Sequence, residues 1–329
     1  MNGNLEISFI GRRGRFLLAA MALLSCVVAA NSAGATTLFV SDGVDDVVHR
    51  FDATTGAAIS PNIPLVSVTG VATSANGDVY AASSNPAQVY RYNSTTGAQI
   101  GGPFVTFNGQ NDGHDVQGPE GMAFAPNGNL YISDVTESNV HIYDTAGNSV
   151  GVLGSAEMSQ PTDVAFSAAG DLYVVNPGMA DVLVSVGGTQ PLTEFFGPLT
   201  GGLTIPQALT FGPDGKLYVL DASNNGGPAI RRYTAGGADD GAVVSYATSF
   251  FQPNDIAFGP DGKLYVSGVD LEFGTGEVLR YLANGTADGM LVSSGPSYPT
   301  FMTFSGAVPE PGTLTLLVMA AIPLWWRQR

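Results

Sequence analysis

The stretch Gly118-Pro-Glu-Gly-Met-Ala-Phe-Ala-Pro-Asn-Gly-Asn-Leu-Tyr-Ile-Ser-Asp134 constrains the fold more than any other feature, because copies of it recur along most of the chain. Met122 to Ala125 reads as a short apolar strand, Asn127-Gly128 as the two positive-φ residues of a tight type I′ turn, and Leu130 to Ser133 as the return strand. The other copies are Val71 to Tyr80, Val164 to Tyr173, Leu209 to Tyr218 and Ile256 to Tyr265, each ending on the same tyrosine. Tyr80, Tyr131, Tyr173, Tyr218 and Tyr265 lie 51, 42, 45 and 47 residues apart. A repeat of that length made of strands predicts a β-propeller.

The repeats also give the blade number. Leu38-Phe-Val-Ser-Asp42 matches a return strand but has no leading strand before it, whereas Phe301-Met-Thr-Phe-Ser-Gly306 matches a leading strand with no return strand after it. Six leading and six return strands result, with the odd ones at opposite ends, so pairing the two ends would close the ring and remove its exposed edges. Third strands follow at Val48–Asp52, Val89–Asn93, Val140–Asp144, Val182–Val186, Ile230–Thr234 and Val278–Leu282, with the alternation of half-buried strands. Turns such as Thr54-Thr-Gly56 lead to weaker outer strands. The expected fold is all-β: a six-bladed propeller over residues 36–306, closed by its N- and C-terminal strands. Forty-three glycines and only 12% charged residues suit many short strands and tight turns.

Between residues 36 and 309 there are 26 acidic residues against 7 basic ones, a formal charge of −19. Nucleic acid is therefore not an expected partner. Such a surface suits a soluble exported protein, or one that captures cations or basic surfaces. Cys26, the one cysteine, lies in an N-terminal apolar run, so the propeller would carry no disulfide. Arg12, Arg13 and Arg15, the apolar run Phe16 to Ala30 and the small residues Ala33-Gly34-Ala35 have the layout of a secretory signal peptide over residues 1–35, a substrate for signal peptidase. At the other end, Val308-Pro-Glu-Pro-Gly312 precedes the apolar run Leu314 to Trp326 and the basic end Arg327-Gln-Arg329.

Two resemblances follow from these residues. The pattern Pro-x-Gly-x-Ala-x, Gly-x-Leu-Tyr-Val-x-Asp and Val-x-x-Tyr over residues 38–306 is similar to NHL-repeat propellers. Asp163, Ala208 and Asp255 depart from it where glycine is usual, and Ser83 and Gly268 where an acid is usual. Residues 307–329 resemble the PEP-CTERM sorting signal of Gram-negative, often biofilm-forming bacteria. That resemblance implies recognition by an exosortase at Pro309, Glu310 and Pro311. It also implies membrane contact through a transmembrane helix in the tail before processing, then placement at the cell surface or in the extracellular matrix.

Residue patterns give little chemistry. No metal-ligand spacing, nucleophile elbow or phosphate loop stands out, so no catalytic or cofactor-binding residue is assigned. His49 and His141 occupy the same place on third strands, which argues for a structural role; His114 belongs to the Asn108 to Gln117 connection. Asp42, Asp134, Asn176 and Asp221 end return strands, where a side-chain oxygen would cap the next turn. The channel ring is expected to consist of the residues just before the leading strands: Thr69, Glu120, Thr162, Gln207, Asn254 and Thr300. Glu120-Gly-Met-Ala-Phe and Asn254-Asp-Ile-Ala-Phe resemble segments of gluconolactonase-type propellers that hold a catalytic divalent cation. The resemblance implies a weakly held Ca²⁺ on Glu120 and Asn254, against a hydrated channel with no ion. Asp163 and Asp255 would be the nearest candidates for a base. The expected function is non-enzymatic binding of an extracellular ligand (protein, polysaccharide or small molecule). A metal-dependent hydrolase or lactonase and a purely structural biofilm-matrix protein are the alternatives.

Overall fold

The computed structural model describes residues 36–107, 117–154, 156–222, 227–246 and 250–305. Both expected processing segments, His114 and most of its connection lie outside them. Among the described residues 24 strands form six four-stranded antiparallel sheets, each one blade. The inner strands are Pro299–Phe304 in blade 1, Val68–Thr73 in blade 2 and Pro119–Phe124 in blade 3. They are Asp163–Phe166 in blade 4, Pro206–Phe211 in blade 5 and Phe251–Phe258 in blade 6. Consecutive inner strands are neighbours all round the ring. No helix among the described residues is long and apolar enough to cross a membrane.

Blade 1 closes the ring as the repeats imply. Pro299–Phe304 pairs antiparallel with Thr37–Asp42, with Leu38 opposite Phe304, Phe39 opposite Thr303 and Val40 opposite Met302. Beyond the ladder Ser305 N–H donates to the Thr37 carbonyl at 2.8 Å, and Thr37 N–H donates to Ser305 Oγ at 2.8 Å. The outer strands, expected to be weak, are only two residues long at Ile63–Pro64 and Val105–Thr106 but five to seven residues long in the other four blades.

The hairpin turns differ from the expected type. Gly128 has φ +87° but Asn127 is not left-handed, and Gly128 N–H donates to the Ala125 carbonyl while Ala125 N–H donates to the Asn129 carbonyl. This is a three-residue loop, a type I turn closed by a left-handed glycine, and not type I′. Pro126 supplies the φ that the first central position of a type I turn needs. Asn127 Oδ1 accepts the Asn129 N–H at 3.0 Å, as Asp214 and Asp261 do for Lys216 and Lys263.

The recurring tyrosine has a packing cause. Each one meets the phenylalanine of the next blade's inner strand edge-on: Tyr80 with Phe124, Tyr131 with Phe166, Tyr173 with Phe211, Tyr218 with Phe258 and Tyr265 with Phe304. Ring centroids lie 4.8 to 5.0 Å apart at all five seams, within the favoured range for such pairs. At the sixth seam Phe39 and Thr73 hold the equivalent places. Three hydroxyls also reach the next blade, from Tyr131 to the Gly188 carbonyl, from Tyr218 to that of Ala283 and from Tyr265 to that of Ala53. The repeat period read from the tyrosines is thus the period of the seams between blades.

Candidate functional site

All six inner strands begin on one face of the ring. Strand direction alternates within a blade, so the turns between second and third strands emerge on that face too, as do the connections from each outer strand to the next blade. Thr69, Glu120, Gln207, Asn254 and Thr300 fall inside the inner strands, and Thr162 lies one residue ahead of its strand. Pairing register shifts around these positions in five blades: between Val68 and Val71, Pro119 and Met122, Pro206 and Ala208, Pro253 and Asp255, and opposite Val40 to Asp42. A repeated β-bulge therefore re-aims the side chains where the inner strands start.

The oxygens that end the return strands hold these bulges in place. Asp134 Oδ1 accepts the Thr136 and Glu137 N–H groups, the expected turn cap, while Oδ2 accepts the Gln117 N–H at 2.8 Å and Oδ1 that of Gly118 at 3.2 Å. Asp42 grips Ser297 and Tyr298 N–H, Asp221 grips Thr204 and Ile205, and Asn176 Oδ1 grips Ser159. Each gripped N–H lies two or three residues before a channel position. Burial alone would raise the Asp42 carboxyl, but the His49 ring and the N–H groups of Tyr298, Asp45 and Ser297 outweigh it and hold the group well below the carboxylate range.

Around the ring Thr162 Oγ1 donates to the Gln207 carbonyl at 2.8 Å, and Asn254 Nδ2 donates to the Pro299 carbonyl at 2.7 Å, each bond crossing to the next blade. Thr300 Oγ1 lies 2.9 Å from Ser41 Oγ. Two buried oxygens, Asn254 Oδ1 and Thr69 Oγ1, have no hydrogen-bond partner among the described residues. Glu120 belongs to the inner strand of blade 3 and Asn254 to that of blade 6, three blades away round the ring. Burial, then the charges of Asp134 and Asp163, push the Glu120 carboxyl up to about 7. Among the described residues Glu120 belongs to no cluster of three or more His, Cys, Asp or Glu side chains able to hold a metal ion.

Asp163 and Asp255 are buried clamps between blades. Asp163 accepts its neighbour Val164 N–H and, in blade 5, Leu209 N–H at 2.9 Å; Asp255 accepts Ile256 N–H and, in blade 1, Met302 N–H at 2.7 Å. Both oxygens of each are engaged by backbone. Burial raises both carboxyls above the usual range, Asp255 further because Asp163 is also negative. Both replace the repeat glycine, and that departure was the sequence signal for them. At Gly121 a Cβ would stand 2.4 Å from Asp163 Oδ1, so the clamp in blade 4 depends on a glycine in blade 3.

These shifts set a pH dependence. Glu120, Asp163 and Asp255 keep protons in the folded chain where the unfolded chain has lost them. The stability that Glu120 and Asp163 contribute is full below about pH 4 and lost as pH rises through about 7, and that of Asp255 is lost in the same direction. Asp42 acts oppositely, its contribution present above its unfolded value and lost as pH falls below it. Thermal melts are expected to peak at about pH 4 to 5 and decline toward pH 8. Glu120→Gln should flatten the decline; an identical decline in that variant would show that Glu120 does not titrate in this window.

Two apolar features complete the surface. Val44, Val66, Met179, Leu199, Ile205, Phe250, Leu271, Phe273 and Tyr298 are all exposed, and all lie in connections on the face where the inner strands begin. Phe273 is 72% and Phe250 66% exposed. The opposite face carries a cleft of about 470 Å³ between blades 4 and 5, lined by Phe166, Tyr173, Phe195, Phe211 and Phe258.

No family model and no curated protein matches the chain. Solved structures do. The chain is similar to one in a nidogen/laminin complex, with a TM-score of 0.65 and 15% identity, over 82% of this chain and 98% of that one. It is similar to a streptogramin B lyase, with a TM-score of 0.59, 14% identity and coverage of 80% and 82%. Virginiamycin B lyase from Staphylococcus aureus gives a TM-score of 0.58, 15% identity and coverage of 82% and 87%. At these identities the likeness is one of fold, shared by binding proteins and enzymes alike: the chain is a six-bladed β-propeller.

Proposed function

We propose that this is an exported, surface-sorted propeller that binds an extracellular partner without catalysing a reaction. The observation that carries this reading is the concentration of exposed apolar side chains on the face where the inner strands begin, since large apolar patches on a soluble surface mark interaction sites. The ring supports it as well: Thr162, Asn254 and Thr300 use polar atoms to join strands and blades. Export by signal peptidase and sorting by an exosortase-type enzyme rest on Ala33-Gly34-Ala35 and on Pro309, Glu310 and Pro311. On this reading the protein would stand at the surface or in the matrix of a Gram-negative bacterium, with membrane contact through the tail until its removal.

One observation favours the metal-dependent lactonase. Glu120, shifted to about 7 by burial, has the value of a general acid or base at neutral pH. With one ring carboxylate, Ca²⁺ affinity is expected to be no tighter than about millimolar. The test combines calorimetric Ca²⁺ titration, a lactone panel, and adhesion to matrix from the producing cells, using the chain, Glu120→Gln and the double variant Phe250→Ser, Phe273→Ser. Expected are no turnover, weak Ca²⁺ binding, and adhesion that falls in the double variant while its melting temperature holds. Lactone turnover abolished by Glu120→Gln would transfer the assignment to the enzyme.

A further inference from the structure

The sequence Asp42-Gly-Val-Asp45-Asp-Val-Val-His49 runs from the end of one strand, round a turn, and into the next. Asp42 ends Thr37–Asp42 and His49 lies in Val47–Asp52, so the turn brings both carboxylates to the imidazole. His49 Nε2 lies 3.5 Å from Asp45 Oδ2 and 3.8 Å from Asp42 Oδ2, and one atom from each residue lies within 4.8 Å of the others. His49 is only 6% exposed, and Nε2 has no hydrogen-bond partner among the described residues. Asp42 is fully buried, while Asp45 opens to solvent.

A buried ring nitrogen 3.5 and 3.8 Å from two carboxylate oxygens, without a well-formed hydrogen bond to either, is an arrangement that a cation can complete. Ligands on a tetrahedral zinc with bonds of about 2.0 to 2.1 Å stand about 3.3 Å apart, and the two carboxylate oxygens stand 3.5 and 3.8 Å from Nε2. Asn62 Nδ2 lies 3.1 Å from His49 Nδ1 and donates to it, which leaves the proton of the neutral ring on Nε2. Metal binding would displace that proton to Nδ1, where the Asn62 amide, turned over, would accept it through Oδ1. A nitrogen ligand with two carboxylates selects a first-row divalent ion and disfavours Ca²⁺, which takes oxygen.

The geometry points to a divalent transition-metal site of the zinc class formed by Asp42, Asp45 and His49, with water completing the shell on the Asp45 side. Its place gives it a task. Asp42 grips Ser297 and Tyr298 N–H, and Asp45 Oδ1 accepts from Ser297 Oγ at 2.8 Å, so the ligands hold the segment that leads into the ring-closing strand. Metal bound here would tie the first two strands of the propeller to its last. Blade 3 is an internal control. It repeats the spacing as Asp134, Glu137 and His141, with His141 Nε2 3.8 Å from Asp134 Oδ2, but Glu137 accepts from Gln117 Nε2 and no three-ligand cluster forms.

The test uses tag-free full-length chain, metal-stripped and titrated with Zn²⁺ by calorimetry, with Co²⁺ absorption reporting the ligand field. One ion per chain is expected, with a rise in melting temperature that scales with ion concentration. His49→Ala should abolish both. Asp45→Ala, at an exposed side chain outside the core, should weaken binding at least tenfold in a chain that still folds, and His141→Ala should leave the stoichiometry unchanged. Absence of binding at tens of micromolar Zn²⁺, or affinity unchanged in Asp45→Ala, overturns the proposal.

Discussion

A chain cut after Gly295 is expected to lose its cooperative thermal transition and to elute as aggregate or exchanged dimer. The cut removes Pro299–Phe304, the inner strand of blade 1, and leaves Thr37–Asp42 as an unpaired edge. Met302 and Phe304 are buried there, and Phe304 closes the seam against Tyr265. Burial of two such side chains contributes about 3 to 6 kcal/mol, a large part of the roughly 5 to 15 kcal/mol that holds a typical domain folded. Asp42 would lose its Ser297 and Tyr298 partners and Asp255 would lose Met302 N–H, each leaving a carboxylate oxygen without its bond. Calorimetry and size-exclusion chromatography decide the matter: a melt unchanged from that of the intact chain would show that the C-terminal strand does not close the ring.

The second large effect is expected at a seam. Tyr173 is buried between Phe195 of its own blade and Phe211 of the next, with centroids at 4.9 and 5.0 Å. Tyr173→Ala should cost about 3 to 5 kcal/mol, because neighbouring blades cannot collapse into the gap without moving whole sheets. Tyr173→Phe keeps the ring and should cost far less. Tyr131→Phe should cost about 1 kcal/mol through loss of the bond to Gly188. Urea denaturation gives all three; equal losses for Tyr173→Ala and Tyr173→Phe would place the stabilisation in the hydroxyl and refute the seam argument.

Much of this architecture was legible because a repeat writes its packing several times over. The tyrosine period and the split first blade follow from spacing that the copies reinforce, whereas the outer strands, read as weak throughout, are short only in blades 1 and 2. The turn type was misread because Asn-Gly has two readings, and the proline before it, which selects the three-residue loop, lies outside the dipeptide. Alignment of the copies put the expected channel residues at the starts of the inner strands, where five lie inside them, but their bulges left no trace, since a register shift is invisible in a single strand. Asp42, Asp134 and Asp221 were expected to be turn caps, and Asp42 and Asp134 do cap the turns that follow them. Their second task, gripping N–H groups 16 or more residues away in the chain, follows only from which segments the ring brings together. The Asp42, Asp45 and His49 cluster was hidden by its own repetition: a histidine shared by two blades argues for a common scaffold, and only the three-dimensional arrangement separates blade 1 from blade 3.

The pairing of Thr37 with Ser305 also determines how the ring carries force. The two ends leave the same point of one antiparallel ladder, so tension applied between them opens the ladder from its free end, one backbone hydrogen bond at a time. Load in that direction meets a peeling seam in place of a ladder sheared all at once, and the ring should open at low force. Tethered through one end only, the same propeller bears no tension across that ladder, and the face where the inner strands begin, opposite both ends, stays free.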